Sequence, residues 1–406
     1  METHTSSKSA GTSFFRTCFN GVNALSGIGI LSIPYALSQG GWLSLVLLLI
    51  TAVICCYTGI LLQRCMDSNS LVKTYPDIGE LAFGQKGRAI VAMFMYLELY
   101  LVAIDFLILE GDNLEKLFPS TKFDFLSLRI GGKQGFVIIA SLIVLPTTWL
   151  RSLSLLAYIA LGGVLASLVL VGSVMWAGAL DGVGFHEKGV IVNWSGIPTA
   201  MSLYAFCFSG HAVFPTIYTS MRNRTMFSKL LLISMQVLFF SFTLCTLNYG
   251  LMAVTGYLMY GQSLQSQVTL NLPSRKLSSQ IAIYTTLVNP FTKYALMITP
   301  IANAFEEWFQ VTKCRPFSIL IRTMLVISTT LVALVVPYFG YIVALTGSFL
   351  SSTAAIVLPC VCYLKIFKGS KQLGFEFMTC VMIIVIGLMV AVIGTCSSLK
   401  QIIQSL

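Results

Sequence analysis

Four ionisable side chains lie inside apolar runs where an ordinary membrane helix carries none. Lys293 sits in Asn289-Pro290-Phe291-Thr292-Lys293-Tyr294-Ala295-Leu296, and Glu98 and Asp105 are seven residues apart in another run. Two helical turns put those two carboxylates on one face, and Asp112 continues it. His211 directly follows Ser209-Gly210. A charge at membrane depth costs about 2.5–3.5 kcal/mol on insertion scales, so each reads first as a functional group. Lys293 can titrate or act as a fixed cation, and a buried carboxylate can carry a proton. An imidazole with an ordinary pKa of about 6.5 suits a proton-linked step. The structural alternatives are an ion pair for Lys293, a packed polar face for the carboxylates and a hydrogen-bonded core position for His211. A bond between Lys293 and one of the carboxylates is a further option. Glu306 and Glu307 are expected to be solvated at the end of the Lys293 segment.

Two apolar segments carry matching interruptions. The first reads Ser26-Gly27-Ile28-Gly29-Ile30-Leu31-Ser32-Ile33-Pro34-Tyr35, and the second Ser209-Gly210-His211-Ala212-Val213-Phe214-Pro215-Thr216-Ile217-Tyr218. Glycine and proline at this density disfavour an unbroken helix. Unwound backbone is tolerated at membrane depth only where it lines a cavity or is buried in protein. Freed N–H groups can then hold a carboxylate, and freed carbonyls a cation or an ammonium. One such segment is ordinary helix packing; two at corresponding positions point to a transport site.

The rest of the chain supplies the helices that position these groups. Of 406 residues, 56% are hydrophobic and 10% charged, against roughly 25% charged in soluble domains. This excludes a soluble enzyme, a disordered chain and a nucleic-acid binder, despite a net charge of +10. A spanning helix needs about 20 apolar residues. Eleven segments qualify, approximately 14–38, 42–65, 88–116, 134–149, 153–180, 196–220, 227–256, 279–309, 317–337, 339–364 and 373–397. The sequence therefore predicts an all-α polytopic membrane protein with helices 1 and 6 broken. With the N-terminus in the cytoplasm, 16 of the 25 Lys and Arg fall on the cytoplasmic side and 8 opposite, with Lys293 inside a span. The breaks lie five spans apart. Residues 13–180 and 196–365 then form two inverted five-helix repeats, preceded by a short cytoplasmic N-terminus (1–12) and followed by an eleventh helix and C-terminus (373–406). Pro76-Asp77 with Ile78, Leu81, Ala82 and Phe83 predicts a short amphipathic helix on the cytoplasmic face.

The 11 cysteines form no CxxC pair or Cys/His cluster, so neither a metal site nor a cofactor is expected. No Ser–His pair, paired-Asp motif or HExxH suggests an intramembrane enzyme. Asn193-Trp194-Ser195 is a glycosylation sequon close to the membrane.

Asn23-Ala24-Leu25-Ser26-Gly27-Ile28-Gly29-Ile30-Leu31-Ser32-Ile33-Pro34-Tyr35-Ala36, Tyr75-Pro76-Asp77-Ile78-Gly79, Ser209-Gly210-His211 and Asn289-Pro290 with Lys293-Tyr294-Ala295-Leu296 resemble the amino acid/auxin permease family. Within it they look like the vacuolar amino-acid transporter (AVT) branch, first subgroup, over nearly the whole chain. The resemblance implies a LeuT-like 5+5 fold and proton-coupled transport of neutral amino acids by a monomer. It also implies a tonoplast or other endomembrane location, with the plasma membrane as the alternative. By analogy Ser26, Gly27, Ile28, Gly29 and Ile30 with Phe208, Ser209, Gly210 and His211 hold the amino acid, and Tyr204 is a candidate pocket residue, as is Thr346. Asn23, Thr285, Thr286, Asn289 and Lys293 match the region that holds sodium in LeuT-like proteins, and Glu98 and Asp105 join them as candidate coupling residues. The competing expectation is a non-transporting amino-acid sensor on the same fold.

Overall fold

The computed structural model describes residues 18, 21–23, 25–119, 121–125, 128–149, 156–215, 219, 227–311, 314–336, 338–368 and 373–405. The N-terminal segment 1–12, most of the first half of span 1 and the part of span 6 beyond Pro215, Thr219 apart, lie outside the described residues. The helices follow the expected spans. They are α1 (Gly29–Gly40), α2 (Ser44–Ser68), α3 (Tyr75–Leu117), α4 (Gly132–Thr148), α5 (Leu156–Leu180) and α6 (Ile197–Cys207). Then come α7 (Phe227–Tyr260), α8 (Leu277–Trp308), α9 (Arg315–Val335), α10 (Phe339–Leu345), α11 (Leu358–Ile366) and α12 (Leu373–Ser405). A π-helical stretch, Thr346–Val357, joins α10 to α11 as one span.

Among the described residues seven helices are long and apolar enough to cross a membrane, and α4 and α6 are shorter apolar helices. The 25 residues of α2 reach about 37 Å at 1.5 Å each, enough for a hydrocarbon core of about 30 Å. Its outward face is apolar, with Leu49, Ile50 and Val53 exposed, and α12 likewise exposes Val392 and Ile393. Apolar surfaces of this extent suit lipid, not water.

The amphipathic helix forms as the first limb of α3. Asp77 caps it, its carboxylate accepting the N–H of Thr74 at 2.9 Å and of Lys73 at 3.1 Å. Gly84, at φ 67°, then turns the chain through a conformation side chains resist. The two limbs fold back until Gly79 and Gly87 touch, leaving no room for a Cβ at either. Ile78 and Ala82 are buried, and Phe83 is exposed.

Two features differ from expectation. Residues 117–133, the connection between the expected segments 88–116 and 134–149, contain an antiparallel hairpin pairing Phe123–Phe125 with Leu128–Ile130. Glu306 is buried, not solvated. Its carboxylate accepts Arg322 Nε at 3.0 Å and the Ser318 hydroxyl at 2.6 Å. Arg322 also donates to the Thr148 carbonyl and to Asn303 Oδ1, at 2.8 and 2.9 Å. A buried charge needs such partners, and these lock α4, α8 and α9 together. All eleven cysteines are free; Cys314 and Cys396 are exposed and Cys56 half-buried, the rest buried.

α1 packs on α6 and α7, and α8 packs on α3 and α5. The two interrupted spans, through α1 and α6, are therefore direct neighbours in the helix bundle.

Candidate functional site

The chain leaves helical geometry at Ser26–Ile28 before α1 begins at Gly29, and again at Phe208–Gly210 after α6 ends at Cys207. A break strands carbonyls that an intact helix would satisfy. Here the carbonyls of Asn23, Ser26 and Cys207, and that of Leu25, which keeps only the turn bond from the Gly27 N–H at 2.7 Å, take side-chain donors from α7 and α8.

Lys293 of α8 takes two. Its ammonium donates to the main-chain oxygens of Ser26 at 3.1 Å and Asn23 at 3.3 Å. The side chain is buried. Tyr249 of α7 takes the others, its hydroxyl lying 2.5 Å from the Leu25 oxygen and 3.2 Å from the Cys207 oxygen. One hydroxyl thus touches both breaks. Tyr249 ends a stripe at helical spacing that serves span 1: the Ser241 hydroxyl donates to the Cys18 carbonyl at 3.3 Å and Cys245 Sγ to the Val22 carbonyl at 3.7 Å. Cys245 Sγ also lies 3.5 Å from Ser26 Oγ.

The two broken spans approach closely at Gly29. A Cβ there would lie 2.6 Å from Cys207 Sγ and 3.2 Å from its Cα. Glycine is required by contact, not by φ.

The expected residues fall into three groups. Gly27, Ile28, Ile30, Thr285, Thr286 and Asn289 line one narrow cavity with Ser167 of α5, with room for about one water-sized body. Asn23 and Ser26 meet Lys293, and Gly29 meets α6. Glu98, Ser209, Gly210 and Phe208 form the second group around the other break. Glu98 Oε1 accepts the hydroxyls of Ser209 and of Ser351, each at 2.6 Å. Phe208 stacks on Phe242 with ring centroids 6.1 Å apart, and meets Tyr249 edge-on at 5.4 Å.

The remaining residues stand apart. Nε2 of His211 lies 2.9 Å from Thr58 Oγ1 of α2, and the ring sits 5.0 Å from that of Phe214. The Tyr204 hydroxyl lies 3.0 Å from Ser44 Oγ, tying α6 to the start of α2. Thr346 is buried within the π-helical stretch. Asp105 is fully buried, and neither carboxyl oxygen has a hydrogen-bond partner among the described residues. Glu98 and Lys293 take separate partners; among the described residues no ion pair joins Lys293 to a span-3 carboxylate.

Three buried polar residues escaped the sequence reading. Tyr249 looks like an ordinary aromatic in an apolar span; its signal is the Ser241, Cys245, Tyr249 stripe at intervals of four. Ser351 lies in an unremarked serine pair. Glu110 is buried with both carboxyl oxygens unbonded among the described residues, and its spacing takes it off the Glu98–Asp105 face. Asp112 does not extend that buried row freely: it pairs with Lys133 and accepts Gln267 Nε2 at 2.7 Å.

The family model described as "Transmembrane amino acid transporter protein" matches residues 10–400. Amino acid transporter AVT1I of Arabidopsis thaliana is 53% identical over 396 residues, covering 97% of this chain and 96% of its own. AVT1J of the same plant is 49% identical over 394 residues, covering 96% and 92%. Among solved structures, a manganese transporter mutant from Eremococcus coleocola aligns with a TM-score of 0.55 at 13% identity, over 98% of this chain and 89% of that one. At that identity the likeness shows the fold alone.

Proposed function

The chain belongs to the transmembrane amino acid transporter family, and from that premise we propose that it moves neutral amino acids across a vacuolar or related endomembrane by proton-coupled alternating access. The observation that carries the coupling is the Lys293 ammonium on the Ser26 and Asn23 carbonyls. A cation belonging to the chain stands where an interrupted helix offers carbonyls to a cation. A separate sodium ion is then redundant at that place, and a proton on or off Lys293 becomes the coupling event.

The substrate carboxylate goes to the N–H groups that open α1, at Ile28 and Gly29, where the helix dipole favours an anion. The substrate ammonium goes to the carbonyls ending the preceding segments. Spans 1, 2, 6 and 7 rock as a bundle against spans 3, 4, 8 and 9, the two inverted repeats being residues 13–180 and 196–365 and the N-terminus facing the cytoplasm. The bonds of Lys293 to span 1 and of Glu98 to Ser209 cross that boundary, so they are made and broken as the bundle moves. The contact of His211 with Thr58 lies within the bundle and travels with it. Lys293 and Glu98 therefore suit coupling better than His211. A ligand drives the motion only by binding one state more tightly than the other.

Uptake of amino acids into sodium-free proteoliposomes tests this. The expected flux follows the sign of an imposed pH gradient. Flux that ignores the gradient overturns the coupling, and binding without flux leaves the sensor reading in its place.

A further inference from the structure

We propose that Tyr249 is an internal surrogate for the substrate ammonium, a positioning residue that lets the carrier return across the membrane without an amino acid. The inference rests on the reading above, in which the carbonyls at the two breaks receive that ammonium. The Leu25 oxygen already accepts the N–H of Gly27 at 2.7 Å and the Tyr249 hydroxyl at 2.5 Å. A carbonyl has two lone pairs, so this one is full. An ammonium reaching it must displace Tyr249. The same hydroxyl lies 3.2 Å from the Cys207 oxygen, so a single side chain holds the facing ends of both broken spans, as one bound ammonium would.

The location of Tyr249 sharpens the point. It stands on span 7, within the proposed moving bundle along with spans 1 and 6. Rocking alone does not break its bonds, whereas those of Lys293 and Glu98 cross the boundary. Only a competing donor at the same carbonyls releases it. Tyr249 is fully buried and wedged against Phe208, so water cannot readily take over its bonds. With the hydroxyl in place the breaks stay satisfied when no substrate is bound, and the bundle can cross closed. Without it, the one hydroxyl hydrogen shared between the two oxygens is lost, the Leu25 oxygen keeps only the Gly27 N–H, and the substrate-free crossing slows, while the substrate-bound crossing, which brings its own donor, does not.

The test compares net uptake with exchange in proteoliposomes, using a radiolabelled mixture of neutral amino acids. Exchange needs only the loaded carrier, whereas net uptake also needs the substrate-free return. For Tyr249→Phe we expect net uptake to fall about tenfold, the scale of one buried acceptor left without its donor. Exchange should stay within about twofold of the wild-type rate, and half-saturation should move to lower concentration. Equal loss of both fluxes in a folded variant, or loss of neither, overturns the proposal and leaves Tyr249 a packing residue. Wild-type protein that shows neither flux overturns the transporter reading itself, and this inference with it. Should Tyr249→Phe fail to assemble, 3,5-difluorotyrosine placed at 249 in the otherwise native chain keeps the question open to measurement. Its fluorine resonance should shift saturably as amino acid is added, and a resonance that ignores amino acid overturns the proposal.

Discussion

Removing the Glu98 carboxyl should loosen three spans at once, by an amount the geometry sets. Glu98 Oε1 accepts two hydroxyls at 2.6 Å, from Ser209 beside the second break and from Ser351 in the π-helical stretch. Hydrogen bonds between helices in membranes average about 0.6 kcal/mol, with a ceiling near about 1.7. The two together are worth about 1–3 kcal/mol. Glu98→Ala also removes a buried methylene, about 0.8 kcal/mol, so its total cost is about 2–4 kcal/mol. Glu98→Gln keeps an acceptor oxygen in place and should cost less than half as much. If Glu98 takes part in coupling, Glu98→Gln nonetheless loses its share of gradient-driven flux while keeping stability. The assay is unfolding in SDS mixed micelles, alongside flux, for a double-mutant cycle. Ser209→Ala and Ser351→Ala should each cost about 0.6–1.7 kcal/mol in the native background, and close to nothing once Glu98 is alanine. Equal costs in both backgrounds would refute the assignment of those bonds.

Gly29→Ala forces a Cβ to 2.6 Å from Cys207 Sγ. Overpacking of this kind costs about 1–3 kcal/mol, read as lowered thermal stability and slower flux. Cys207→Ala in the same chain should recover only part of the loss, because the Cys207 Cα would still stand 3.2 Å away. Arg322→Ala strands the buried Glu306 and should cost about 3–5 kcal/mol, seen as a lower unfolding temperature. Replacing the pair together by Met and Leu should restore most of it, and a double variant no more stable than Arg322→Ala would contradict the pairing.

The parts of the fold that were legible in the sequence are those with local causes. Glycine and proline density marked both interruptions, and desolvation made Lys293 conspicuous in an apolar run. The Pro76-Asp77 start with Ile78, Leu81, Ala82 and Phe83 marked the short amphipathic helix, whereas the turn at Gly84 that ends it was visible only in the structure. What stayed hidden depends on partners distant in sequence. Nothing near Tyr249 says that its hydroxyl meets carbonyls 224 and 42 residues away. Glu306 looked solvated because Arg322, sixteen residues on, folds back over it. Tyr204 stood among the candidate pocket residues, and its bond to Ser44 at the start of α2 is another long-range contact the sequence hides. Glu98 was visible as a buried charge, but its choice of two serines over Lys293 follows from how α3 packs, which its own helix cannot encode.

In the proposed mechanism the Lys293 ammonium at the first break couples transport to protons. Its most direct test is sodium-free uptake under an imposed pH gradient, with wild type and Lys293→Ala reconstituted at equal density. Wild-type flux should reverse with the gradient, and a folded Lys293→Ala protein should bind amino acid but no longer respond to the gradient. Gradient-driven uptake by Lys293→Ala at the wild-type rate would contradict it.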